Sequence, residues 1–192
     1  LQPIVDSPAS LFRRLRIIAN GSAVIEDIEE YSRVVELFSA LLPSQRRYNN
    51  ITETWGGAFI ASGLDSPVHP DPIEADSERT VVVHLMSSLL GQGKLLPLSM
   101  LPVILELELG ELNDCFAGGD NQWEISRPRL LADVVQIDQS LANSYASHML
   151  SGRSLPLIFF GIYSLKSAVP TGSSLYSFPI ARGFTRLNTC LL

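Results

Sequence analysis

Apolar and polar positions along the chain follow two different periods. Residues 12–19 and 23–28 are apolar, β-branched-rich runs separated by Asn20-Gly21, two residues that accept the positive φ angles of a tight hairpin turn, and this predicts strand, turn, strand. From Glu29 the period lengthens. Tyr31, Val34, Val35, Phe38, Leu41 and Leu42 recur at steps of three and four up to Pro43, which predicts a helix of about twelve residues. Residues 101–109 alternate, with Leu101, Val103, Leu105, Leu107 and Leu109 on one face and Glu106 and Glu108 on the other, the pattern of a half-buried antiparallel strand.

Between and beyond these runs the signals are shorter. Residues 44–78 are polar and hold Gly56-Gly57, Pro67, Pro70 and Pro72, which predicts a long loop carrying at most one short element. Residues 80–85 form a β-branched run, 87–90 a helical turn, and Gly91-Gln92-Gly93 a break. A Gly/Asp/Asn loop over 113–121 precedes one or two strands over 123–137, interrupted near Pro128. Asp138-Gln139-Ser140 reads as the cap of a short helix carrying Leu141, Tyr145, His148, Met149 and Leu150 and closed by Gly152. Residues 155–169 and 174–192 read as two more strands around Pro170-Thr171-Gly172. Short strands punctuated by turns, with two short helices, predict a mainly β fold of the β-sandwich or barrel kind, and strands that do not alternate with helices disfavour a parallel α/β fold.

Composition narrows what such a fold can do. In 192 residues, 46% are hydrophobic and 18% charged, which excludes a disordered chain. The net charge of −6 argues against direct binding of nucleic acid, because neutralising phosphates requires a basic excess on some face. A mean hydropathy of +0.20 raises the question of a membrane. The longest apolar runs, 95–105 and 155–165, contain Pro97, Pro102 and Pro156 and fall well short of the ~20 residues a spanning helix needs, so no membrane span is expected. The chain starts at Leu1 with no signal-like segment and stops directly after a strand-like run, and it reads as a fragment whose surplus apolar surface meets missing sequence or neighbouring subunits.

No catalytic, cofactor-binding or metal-ligating constellation stands out. His69, His84 and His148 lie far apart, and none has a second His or a Cys at ligand spacing. Cys115 and Cys190 sit in no C-x-x-C pattern and read as reduced, partly buried side chains. Glu106 and Glu108 share a strand face as a solvated pair, and Gly91-Gln92-Gly93-Lys94 lacks the spacing of a phosphate-binding loop. Arg13, Arg14 and Arg16, like Arg46 and Arg47, are expected to pair with neighbours such as Glu26, Asp27, Glu29 and Glu30.

Several blocks together resemble the major capsid proteins of double jelly-roll DNA viruses and of the related virus-like Polinton elements. The first is Leu11-Phe12-Arg13-Arg14-Leu15-Arg16-Ile17-Ile18 with Asn20-Gly21, Val24-Ile25-Glu26-Asp27 and Tyr31-Ser32-Arg33. The second is Gly91-Gln92-Gly93-Lys94-Leu95-Leu96-Pro97-Leu98 followed by residues 101–109. The third is residues 130–138, similar to a closing strand and its exit into a linker helix, though Ile137-Asp138 departs from the family's pattern. The last is Ala181-Arg182-Gly183-Phe184-Thr185-Arg186-Leu187. The resemblance implies a jelly-roll β-sandwich of the double type: residues 1–138 as the first roll without its opening strands, and 139–192 as a linker helix and the start of an incomplete second roll. It implies a homotrimer in an icosahedral virion capsid assembled inside the host cell. Its partners would be neighbouring capsid subunits and penton or minor capsid proteins, and it implies no enzyme activity and no cofactor. Exposed apolar residues are then expected on one or two contiguous faces.

Two other readings stand beside it. A non-catalytic ligand-binding β-sandwich for carbohydrate or peptide would use Trp55, Trp123 and Tyr163 as an exposed stacking surface. A small hydrolase would need a pocket uniting His84 or His148 with a carboxylate and a serine.

Overall fold

The computed structural model describes residues 1–60, 68–117, 122–172, 174–177 and 179–180, with 183, 186 and 190. In chain order it holds β1 (Gln2–Pro3), a 3-10 turn (Pro8–Leu11), β2 (Phe12–Ala19), β3 (Ala23–Ile28), α1 (Tyr31–Ala40), α2 (Ser44–Trp55), β4 (Ala58–Ile60), β5 (Val68–Pro70), β6 (Val103–Leu109), α3 (Leu112–Cys115), β7 (Phe116–Ala117) and α4 (Gln139–Leu150). The strands form three antiparallel sheets: β3-β2-β6, β1-β7 and β4-β5. Among the described residues no sheet closes into a barrel, and the eight strands of a jelly roll are not assembled.

The hairpin forms where its residues require. Asn20 and Gly21 take φ of 50° and 76°, and Ser22 N–H donates to Ala19 O at 3.2 Å to close the turn. Both central residues therefore sit in the left-handed region that a primed turn demands. Leu15 opposes Ile28 and Leu107, and Ile17 opposes Leu105, so these side chains share the inward face. On that face Leu15, Ile17 and Ile28 join Phe12, Tyr31 and Val35 in the first core, onto which Val83, Leu85, Leu157, Phe159 and Ile162 also pack. α1 is held there by its buried Tyr31, Ser32 and Val35.

A second core gathers Leu11, Ile51, Trp55, Cys115 and Phe116. Its helix α2 occupies part of the region expected to be a loop. The apolar signal is confined to the last turn, where Ile51, Thr54 and Trp55 are buried, while the preceding residues are polar and solvated. Gly110, just past β6, has its N–H on Leu11 O at 2.7 Å, and a Cβ there would lie 2.6 Å from Cys115 Sγ. Only glycine lets the end of β6 lie so close to Leu11 and Cys115 of the second core.

Several expected strands do not form. Residues 80–85 alternate in burial and 157–160 do likewise, yet neither joins a ladder, and 124–137 are exposed throughout. Side-chain pattern supplies the tendency to extend, but a ladder also needs a second strand alongside, and within 80–85 the Val82 N–H goes instead to Thr54 O near the end of α2 at 2.9 Å. Of the expected strand over 174–192 and the 181–187 block, most lies outside the described residues, as does 61–67 of the expected loop. α4 forms as expected: Asp138 Oδ1 accepts from Ser140 N (2.8 Å) and Leu141 N (3.0 Å), and Gly152 N–H returns to Met149 O at 2.9 Å. None of its residues is buried.

Candidate interaction surface

The outward face of the β3-β2-β6 sheet is built in rows. Arg16 lies opposite Glu106 on one side and Asp27 on the other, so three charged residues line up across the sheet. Arg14 makes two bonds of 2.8 Å to Asp27 and lies 3.3 Å from Glu29; Arg16 reaches Glu106 at 3.1 Å and Asp27 at 3.7 Å; Arg13 meets Glu108 at 4.0 Å. The hydrogen bond to Asp27 is the largest cause raising the Arg14 pKa above its ordinary value. The next row towards the hairpin tip is apolar: Val24, Ile18 and Ile104, of which Val24 and Ile104 are exposed. A shallow depression lies over Arg14, Arg16, Glu106, Leu107 and Glu108.

The expected partners of the arginines are thus corrected in two cases, Glu26 and Glu30. Glu26 is not on this face. Opposite Ile17 on the inward side and only 3% exposed, it accepts from Ser87 Oγ (2.5 Å), Ser88 N (2.9 Å) and Leu89 N (3.4 Å). The sequence signal for this was the inward parity of position 26 within the hairpin. Glu30 pairs instead with Lys166 at 2.8 Å. Arg47 lies near Asp6, whose carboxyl is pushed above its usual range chiefly by burial, with the Arg47 and His69 charges opposing.

The histidines are not brought together. His69 sits on β5 against Phe59, ring centroids 5.8 Å apart; His84 is exposed on the extended 80–85 segment; His148 is on the last turn of α4. Among the described residues no group of three or more His, Cys, Asp or Glu could hold a metal ion. Cys115 is buried and its thiol is pushed up to about 11 by burial, whereas Cys190 is exposed rather than partly buried; both are free thiols. Trp55 is buried in the second core and Trp123 packs its ring edge-on against Phe116 at 5.5 Å, so two of the three aromatics proposed for a stacking surface are structural.

The most exposed apolar side chains cluster in the later sequence. Leu131, Val134 and Leu150 are 90%, 86% and 88% exposed, and Leu130, Ile158 and Phe160 are also largely solvated. Among the described residues no helix is long and apolar enough to cross a membrane. No protein-family model matches the chain, and neither the curated proteins nor the solved structures contain a match to it.

Proposed function

We propose that this chain is a structural subunit that assembles with copies of itself, in the manner of the double jelly-roll capsid proteins it resembles, as a trimer within a virus or virus-like shell. The observation that carries the reading is surface. The chain exposes 14097 Å², whereas a compact monomer of 21.0 kDa exposes about 9,000 Å². The excess, on the order of 5,000 Å², is of the size that obligate subunits bury against one another. Leu130, Leu131, Val134, Leu150 and Leu175 stand largely in water, at a cost of roughly 25 cal/mol per Å² of apolar surface. The outward arginines are engaged with carboxylates, which supports contacts between proteins over contacts with phosphate.

Size-exclusion chromatography with light scattering tests the reading. The purified chain should show a mass that rises with concentration towards three copies. A monomer at every attainable concentration would sink it.

A further inference from the structure

Among the described residues β6 is paired on one side only. Asn20 N–H donates to Pro102 O at 3.1 Å and Gly110 N–H to Leu11 O at 2.7 Å, so the even-numbered positions bond towards β2. By strand alternation the N–H and C=O groups of Val103, Leu105 and Leu107 are directed to the open edge. Among the described residues nothing hydrogen-bonds to them. Pairing of β6 with its own copy about the strand's midpoint would set Glu106 against Glu106, a like-charge pair that disfavours that solution.

We propose that this edge takes residues 128–132 of a second copy as a fourth, antiparallel strand. This rests on the assembly reading and specifies one contact within it. One register matches the side chains along the segment. With Leu130 opposite Leu105 and Ala132 opposite Val103, apolar residues meet on the inward face. Arg129 then falls opposite Glu106, and Leu131, 90% exposed, extends the apolar row of Val24, Ile18 and Ile104. Pro128 opens the strand opposite Leu107, whose C=O, at the end of the ladder, takes no bond from it. Arg127 follows beside Glu108, exchanging a Glu78 pair whose side chains are 73% and 78% exposed and therefore weakly held. Arg129 has no ion-pair partner among the described residues, and Glu106 keeps free acceptor capacity beyond Arg16. The donor segment is solvated along its whole length, so binding it disturbs no core.

A peptide of residues 126–134 provides the probe, with binding to the whole chain read by fluorescence anisotropy. Methylation of the Leu130 and Ala132 amides, which face the edge, should weaken binding by about tenfold or more. Methylation of the Arg129 and Leu131 amides should leave it unchanged. In the chain itself, Arg129→Glu should lower the oligomer mass, and Arg129→Glu with Glu106→Arg should restore it, circular dichroism confirming the fold of both. Equal binding of the two methylated peptides, with Arg129→Glu oligomers intact, would overturn the strand contact and leave assembly standing. A wild-type monomer that ignores the peptide would overturn both.

Discussion

Glu26 places a carboxylate among Leu15, Ile17 and Ile28, and its burial is tolerable only because Ser87 Oγ and the Ser88 and Leu89 amides converge on it. Those bonds also fix the turn over 87–91, where Leu90 N–H reaches Ser87 Oγ at 3.1 Å and Gly91 N–H reaches Ser87 O at 2.8 Å. Glu26→Ala leaves buried donors unanswered and should cost about 3 kcal/mol in urea unfolding, with Glu26→Gln, which keeps one acceptor oxygen, losing less. Equal stability of Glu26→Ala and the parent would show that the turn holds without the carboxylate. Tyr31 adds a pH dependence. Its hydroxyl accepts from Met86 N–H at 2.6 Å, and burial pushes its pKa from 10.0 up to about 12. The unfolded chain loses that proton first, so it binds fewer protons than the fold between pH 10 and 12, and stability falls as pH rises through that window by about 2 kcal/mol. Cys115, raised from 9.0 to about 11, acts in the same direction from pH 9. Melting temperature followed across this range should drop in the parent and drop less in Tyr31→Phe.

At the scale of elements, legibility in the sequence tracks how local the deciding interaction is. The hairpin of β2 and β3 was legible because Asn20-Gly21 and the flanking runs are contiguous, and α4 because Asp138 and Gly152 bracket it within one short stretch. The alternation of Leu105, Glu106, Leu107 and Glu108 showed both faces of β6, though Leu109 at its end is exposed, and the pairing of Arg16 with Glu106 emerged only from the structure. α2 was hidden because it buries a single turn, and the strands expected over 80–85 and 123–137 failed because partner availability is a non-local property that no run of valines records. The outward charge rows and the open edge could not be read before the register was known, since a slip of one residue would exchange the two faces. α4 carries a prediction of its own. With none of its residues buried, it depends on its cap, and the hydrogen bonds from Ser140 and Leu141 hold the Asp138 carboxyl below its usual range. Asp138→Ala should speed amide hydrogen exchange throughout α4 while leaving β2 unchanged, and unchanged exchange in α4 would mean that the helix is supported by packing instead.

For the whole molecule, charge and apolar surface pull assembly in opposite directions. Each copy carries −6, so copies repel at low ionic strength, while exposed apolar side chains such as Leu130, Leu131, Val134, Ile158 and Phe160 attract whatever the net charge. At 0.1 M salt the Debye length is about 10 Å, which screens the repulsion between whole subunits far more than it weakens neighbouring charges in a covered contact. The Arg129 and Glu106 contact then selects the register, and backbone bonds with leucine burial supply the affinity. Adding salt should therefore strengthen association overall, and sulfate should do so beyond chloride at equal ionic strength because it favours apolar burial. Light scattering over a salt series checks this directly: oligomers that fall apart as salt rises would show that exposed ion pairs, rather than the solvated leucines and valines, hold the copies together.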